Sequence, residues 1–585
     1  MEIIMKKIIF YISVILGFTV TSCHKPEFIK SNITGQGISS LTAIITTGRY
    51  TNMELAKFSL SEEMYKSDTW TIELPWYYPE SSDDETMAYL TSLKIQAEIL
   101  PNFRLEPGLG ILDLTEDNVF TLTEPSGQSR RIIIKGERVH SSKASIVSFS
   151  IDNMVINGIV YEKRKEILIP YTGDLSGSVI SAQVSAHSKL THIGDYRYVP
   201  GKQYDIADGT KIKVLADDQK SVTEYTLKQG EPETIDYGLN PKSVHPLFTI
   251  DPTTLYGFPA YTELSFVSLA SADGYLVVCL GNGTTPMTMN RFSGEKKGEI
   301  VLGTAVADVI SNDEKENLLI ANKAKGGADA EVVNIYRTKS VKTAPSLFYS
   351  FTNPASEPIG HRMKVLGDID KNAVIVFTAE GIDGVTTTAK AVVLTVTDGA
   401  VSKVETKDFS SCVAGWGSAP VGHATVIPAS LKPEADGYFL DYYEGNVDPA
   451  ISGDAENYLL HYIDGKGKDN WIAHIGNWGN NPNCLDIKTF NGARYMAHFV
   501  VSHFPQWGIS PRVYLYEATE PSSASLIFSN TSIKAYQVGS NSSTGAAGDV
   551  ILCPTADGYR IYMYFYDYHC QSIGAYVADC IKIEE

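Results

Sequence analysis

From residue 240 to the C-terminus the sequence returns repeatedly to one short pattern, a turn followed by an apolar strand rich in aromatic residues. It occurs six times: ADGYLVVCL from Ala272, EKENLLIAN from Glu314, DKNAVIVFT from Asp370, ADGYFLDYY from Ala435, FNGARYMAHFVV from Phe490 and ADGYRIYMYFY from Ala556. Each copy follows another short strand, as in SFVSLAS, RMKVLGDI and DVILCPT, and precedes a third, from PMTMNRF to GAYVADCIKI. A fourth is legible in most units: LFYSFTN at Leu347, VSKVETKDF at Val401, WIAHIG at Trp471 and LIFSN ending at Asn530. Four short strands per unit, at an irregular spacing of roughly 40–65 residues, predict the blades of a propeller rather than the turns of a solenoid. The sixth unit runs out of chain after three strands, whereas HPLFTID (His245–Asp251), ahead of the first unit, is similar to LFYSFTN. The pattern therefore predicts a six-bladed β-propeller over 240–585, closed by an N-terminal strand that hides sheet edges otherwise open to aggregation. Seven blades is the alternative count.

A different repeat precedes it. IELPW (Ile72–Trp76) and LKIQAEI (Leu93–Ile99) lead to the alternating VFTLTEPSGQSRRIII ending at Ile134. ILIPY (Ile167–Tyr171) and VISAQVSA (Val179–Ala186) lead in the same order to KIKVLADDQKSVTEYTL ending at Leu227. Period-2 alternation broken by turn residues reads as strands, and in each copy a turn joins the last two as a hairpin. The expectation is two Ig-like sandwich domains, 38–138 and 144–231, and an all-β chain throughout. The 33 tyrosines agree, since aromatic side chains favour pleated surfaces.

At the N-terminus, Lys6 and Lys7 precede an uncharged apolar run, Ile8 to Val20. The run is too short to span a bilayer comfortably and has the length and flanks of a signal peptide. It ends in Val20-Thr21-Ser22-Cys23, which resembles the lipobox of bacterial lipoproteins. That resemblance implies cleavage after residue 22, a lipid on Cys23, export to the outer membrane, and a polar tether over 23–37.

Composition excludes some functions. A net charge of −19 argues against nucleic acid, whose phosphates demand a basic face. Apart from Cys23, the cysteines at 279, 412, 484, 553, 570 and 580 show no metal-ligand spacing and are expected to be mostly buried thiols. HExxH, GxSxG, the P-loop and a helix-opening GxGxxG are absent from the sequence. ADGY is similar to the Asp-containing turns of sialidase propellers but lacks their closing tryptophan, so it reads as a plain β-turn. No cofactor is expected. Asp448, Asp454 and Glu456 read as a solvated acidic loop, with a Ca²⁺ site as the alternative.

Propeller topology sorts the loops. Those joining strand two to three, and strand four to the next blade, share one face. Three of the six tryptophans fall there: Trp416 in SSCVAGWGSAP, Trp478 in GNWGNNPN and Trp507 in SHFPQWGISP. Tyr442, Tyr443 and Glu444 open a long loop on that face. Asn480 flanks Trp478, and His503 and Phe504 flank Trp507. Aromatic rings stack on the apolar face of a pyranose while amides, carboxylates and histidines satisfy its hydroxyls, so this set is the candidate ligand-binding site. The competing reading makes each tryptophan a loop anchor that packs on the blade tops.

The lipobox, the tandem repeats and the propeller together resemble a family of Bacteroidetes surface lipoproteins of uncharacterised function, similar to accessory surface glycan-binding proteins. The resemblance implies serial Ig-like domains as a stalk, a propeller that reads a polysaccharide or oligosaccharide, and possible contacts with other envelope proteins. The alternatives are a protein- or peptide-binding or structural propeller, and a glycan-active enzyme using carboxylates among Asp370, Glu380, Asp441 and Glu444.

Overall fold

The computed structural model describes residues 37–582, apart from 155, 262–265, 382–386, 414, 418–422, 443–458, 471, 475–479 and 538–545. The chain divides into two compact units. One comprises Met1–Ser150, Gly158–Ile167 and Asp174–Lys228; the other comprises Ile151–Asn157, Leu168–Gly173 and Gln229–Glu585.

The first unit begins with two four-stranded sheets. One has the order Glu54–Ser59, Ile38–Ile45, Leu93–Ile99, Ile111–Leu112. The other has the order Thr69–Pro75, Ser129–Val139, Asn118–Thr123, Arg104–Glu106, with its first pair parallel. Alternation decides what each strand buries. In TWTIELP, Trp70, Ile72 and Leu74 face inward and join Ile132 and Ile134 in one core. The same neighbour relations recur further along. Ser178–Val184 lies beside Ile146–Ile151 as Leu93–Ile99 lies beside Ile38–Ile45. Lys211–Leu215 lies between Lys189–Ile193 and Val222–Gln229 as Asn118–Thr123 lies between Arg104–Glu106 and Ser129–Val139. In this second set the strands run on as one nine-stranded sheet, because Glu166–Ile169 neighbours both Val222–Gln229 and Ile156–Tyr161.

Among the described residues the second unit carries six four-stranded antiparallel sheets, the blades of a propeller. Blades 1 to 5 start at the strands Ser268–Ala272, Val309–Asn312, Ile359–Gly367, Ala424–Pro428 and Asn480–Phe490, and each keeps strict sequence order. Blade 6 has Gly548–Pro554, Arg560–Asp567 and Ser572–Asp579 in sequence order. Its outer strand is His245–Ile250, paired antiparallel with Ser572–Asp579 from His245 opposite Val577 to Ile250 opposite Ile573. The ring thus closes through the N-terminal strand. Blade 1 has a fourth strand, Lys296–Glu299, that the sequence pattern conceals.

The first strand of each blade is its innermost and is buried along most of its length. Blade-to-blade packing is apolar; Leu319, Val333, Ile375 and Val392 share one such layer. The ADGY tetrapeptides do not share one turn. Asp273 and Gly274 both have positive φ (50° and 78°), as a two-residue hairpin turn requires, whereas Asp436 ends the short helix Pro433–Asp436.

Candidate functional site

Strand direction places the start of every innermost strand, and the end of every second strand, on one face of the propeller. This is the face on which the sequence clusters its tryptophans. At the channel mouth Phe266, which precedes the inner strand of blade 1, meets His361 of blade 3 at 5.0 Å and His423 of blade 4 at 4.8 Å between ring centroids. The Lys323 ammonium lies 4.6 Å from the Phe266 centroid and donates to Gly281 O at 3.4 Å. His361 is buried, and neither of its ring nitrogens has a hydrogen-bond partner among the described residues. Burial, then the neighbouring His423, Arg362 and Lys323, hold its pKa well below the ordinary 6.5, so the ring is neutral. Glu380 ends the second strand region of blade 3; burial pushes its carboxyl up while Lys323 pulls it down.

Below the mouth the channel is crossed by charge. Arg362 and Lys364 of blade 3 both reach Asp549 of blade 6 at 2.8 Å, and they also donate to Gly548 O and Val550 O. Asp549 accepts from Leu269 N of blade 1 at 2.8 Å. Lys488 of blade 5 pairs with Asp486 at 3.2 Å and donates to Val365 O of blade 3 at 2.8 Å. These residues alternate with apolar ones in RMKVL and LDIK, so one side of each inner strand faces the channel and the other the neighbouring blades.

At the rim, blade 5 presents an aromatic platform. Trp507 is 61% exposed, and its ring stacks on Phe504 at 4.6 Å with planes 8° apart. The loop is tightly built. Pro505–Trp507 form a 3-10 turn, Trp507 N donates to Phe504 O at 3.0 Å, and Gly508 takes the left-handed conformation (φ 78°) that lets its N–H reach Pro505 O. Behind it, buried Asp567 accepts from Ser502 N at 2.9 Å and Cys570 N at 2.8 Å, and His569 Nδ1 lies 2.8 Å from Ser502 O. His503 is buried, edge-on to Phe504 at 5.8 Å.

Two expected ligand residues are placed elsewhere. Trp416 is 1% exposed; its indole N–H donates to Ala379 O at 2.8 Å, and its backbone pairs with Thr388. It is a core anchor between blades 3 and 4. Tyr442 is likewise fully buried, stacked on His461 at 5.2 Å and packed against Trp416 at 5.6 Å. The burial of both corrects their assignment to an exposed sugar platform. Tyr443, Glu444, Trp478, Asp448, Asp454, Glu456 and Cys23 lie outside the described residues. Asn480 is placed by its backbone, opposite Ser502. Of the carboxylates considered for catalysis, Asp370 is held by Arg337 at 2.6 Å and Lys339 at 3.0 Å on the face opposite the tryptophans. Asp441 is buried 2.9 Å from His498 Nε2 and accepts from Cys484 N at 3.1 Å. Phe266, Lys323 and His361 were not legible as site residues, although the cation alternation of RMK marks an inner strand facing a channel. Cysteines 279, 484, 553, 570 and 580 are buried free thiols, and Cys412 is a half-buried one.

The family model described as "Domain of unknown function (DUF8500)" matches residues 246–579, from the closing strand to the last strand of blade 6. The chain belongs to the DUF8500 family. A second model, "Domain of unknown function (DUF5018)", matches residues 18–136. No curated protein matches the chain. Among solved structures, the DUF8500 chain is similar to a DUF4623 family protein from Bacteroides eggerthii DSM 20697, at 13% identity over 76% of this chain and 99% of that one, with a TM-score of 0.40. It is also similar to an alpha-l-arabinofuranosidase from Fusarium graminearum (14% identity, 57% and 97% covered, TM-score 0.32) and to the WD40 beta propeller domain of Doa1 (13%, 57% and 96%, TM-score 0.26). Similarity at this level says nothing of what the DUF8500 propeller binds. Among the described residues no helix is long and apolar enough to cross a membrane.

Proposed function

We propose that this protein is a cell-envelope lipoprotein, exported and anchored through Cys23, whose propeller binds a glycan on the face that carries Trp507. The observation that supports the reading is the Trp507–Phe504 pair: a large ring exposed to solvent, held flat by stacking and by a hydrogen-bonded turn. Such a ring is ordered before the ligand arrives, so binding costs little side-chain entropy. Its exposed apolar surface suits the C–H face of a sugar ring. The sugar lies across the rim and mouth rather than in the channel, whose interior is occupied by the Arg362–Lys364–Asp549 network.

The test is a polysaccharide panel by affinity gel and calorimetry on the full chain, with Trp507→Ala and Phe504→Ala. A glycan bound by the wild type should be bound at least about tenfold more weakly by Trp507→Ala. Retained affinity in both variants would remove this site. Absence of binding across the panel, with folded protein, would remove the glycan and leave a protein ligand for the same platform.

A further inference from the structure

The first unit carries a concave site of its own, a cleft of about 440 Å³, within the range of small-molecule sites. It forms where Pro75–Glu80, the segment leaving the strand Thr69–Pro75, meets His187 and Asp217 of the second strand set. Trp76, Tyr77 and Tyr78 supply its aromatic wall, and Glu73, Glu80 and Asp217 its acidic one. The rings are held by their neighbours. His140 stacks on Trp76 at 4.0 Å, and the Arg138 guanidinium lies 3.8 Å from the Trp76 centroid. His187 stacks on Tyr77 at 4.0 Å with its Nε2 3.0 Å from Ser82 O, and Tyr78 meets Tyr50 edge-on at 5.2 Å.

The carboxylates are oriented by polar neighbours. Asp217 Oδ2 lies 2.8 Å from His140 Nδ1, and Glu80 accepts from the Ser141 hydroxyl at 2.9 Å. Glu73 sits in register with Glu137 on the parallel neighbouring strand, a juxtaposition of like charges. Among the described residues no lysine or arginine pairs with Glu73, Glu80 or Asp217. The Arg138 guanidinium over Trp76 is engaged by Glu85 at 3.0 Å.

We propose that this cleft binds a small organic ammonium ion. Carboxylates only accept hydrogen bonds, and an ammonium only donates. The negative faces of aromatic rings attract the same group; Trp76 already holds Arg138 and His140 against its faces, so Tyr77 and Tyr78 supply this attraction beside the carboxylates. An anionic ligand would meet three carboxylates. The ammonium can be carried by an amino sugar or by an amino-acid side chain, and the assay separates these. This site is independent of the propeller face.

The experiment is calorimetric titration of the full chain with glucosamine, N-acetylglucosamine and a lysine amide blocked at its α-amino group, at low and at moderate salt. Binding of glucosamine or of the lysine derivative, weakened by salt and absent for neutral N-acetylglucosamine, is the expected result; which of the two binds identifies the carrier. Glu80→Gln and Asp217→Asn should each weaken it roughly twofold to fivefold. Glu80 is exposed, so its variant tests the idea even if Asp217→Asn folds poorly. Equal affinity for N-acetylglucosamine, unchanged affinity in Glu80→Gln, or no binding of either ammonium probe would overturn the assignment.

Discussion

Replacing Asp549 by Asn would remove one charge from the centre of the propeller while keeping the side chain's shape. Asp549 is 1% exposed and serves two buried cations at once, Arg362 and Lys364, each at 2.8 Å. It also accepts from Leu269 N and Val550 N, so its two oxygens tie blade 3 to blades 1 and 6. Breaking a buried pair by removing one partner costs about 3–5 kcal/mol, because the remaining charge stays desolvated. Two cations are orphaned here, but each keeps a carbonyl, Gly548 O for Arg362 and Val550 O for Lys364. That retention places the cost near the upper end, about 5 kcal/mol, rather than doubling it. At the roughly 2 °C per kcal/mol expected of a large domain, the melting temperature should fall by about 10 °C. The assay is urea unfolding, chosen over guanidinium because urea does not screen charge, combined with calorimetry. Adding Lys364→Met should restore part of the loss, since it deletes one orphaned cation while keeping its apolar stem. An Asp549→Asn protein within about 1 kcal/mol of wild type, or a double variant no more stable than the single one, would refute the account of the channel.

Trp416→Ala should cost about 3–5 kcal/mol in chemical unfolding, as expected of a fully buried ring whose indole N–H is bonded, and any loss of ligand should follow the loss of fold. His361 is neutral in the folded state with a pKa well below 6.5, so the unfolded chain binds its proton first as pH falls. Stability is therefore fully present above pH 6.5 and declines as the pH falls below it; the His361→Asn protein should show a flatter pH profile in urea titrations. Gly437→Ala should destabilise blade 4 strongly, because φ is 81° and the new Cβ would lie 1.9 Å from Ile463 O; a melting temperature equal to wild type would contradict this.

The propeller was legible because its period is long and its punctuation regular. Apolar strands such as AVIVFT and RIYMYF are separated by turns that recur in order, and the orphan strand HPLFTID had one edge left to pair with. What escaped was the fourth strand of blade 1. Lys296–Glu299 lies at an outer edge with no residue fully buried, so it carries neither apolar content nor alternation. The site was less legible for a different reason. Trp416 and Trp507 look alike in sequence, each beside glycine in a loop on the same face. Their directions depend on where the backbone goes next. Gly415 (φ 87°) turns Trp416 back so that its N–H and C=O pair with Thr388, which drives the indole between blades. Gly508 (φ 78°) instead closes a turn after Trp507 and leaves its ring outside. Glycine beside tryptophan therefore reports a sharp bend and not its sense. Trp76 closes the strand motif IELPW, yet it stands just past the end of the strand, where the chain leaves the sheet and the alternation rule no longer assigns a side.

The charged interior also bears on where ligand specificity can reside. In a ring of blades the central channel is the natural cavity, but here its side chains are committed to one another. Phe266 covers the mouth against His361 and His423, and below it cations from blades 3 and 5 reach carboxylates and carbonyls on blades 3, 5 and 6. A ligand entering that network would have to replace several buried charge-assisted bonds with its own, at a cost of several kcal/mol that few neutral groups could offset. Selection can vary the rim loops without disturbing this interior, because the loops pack on blade tops whose order the interior already fixes. The exposed Trp507 and the buried Trp416 then represent the two uses such loops can make of one residue type. In the proposed reading one offers its surface to a ligand, and the other secures the scaffold that holds the first in place.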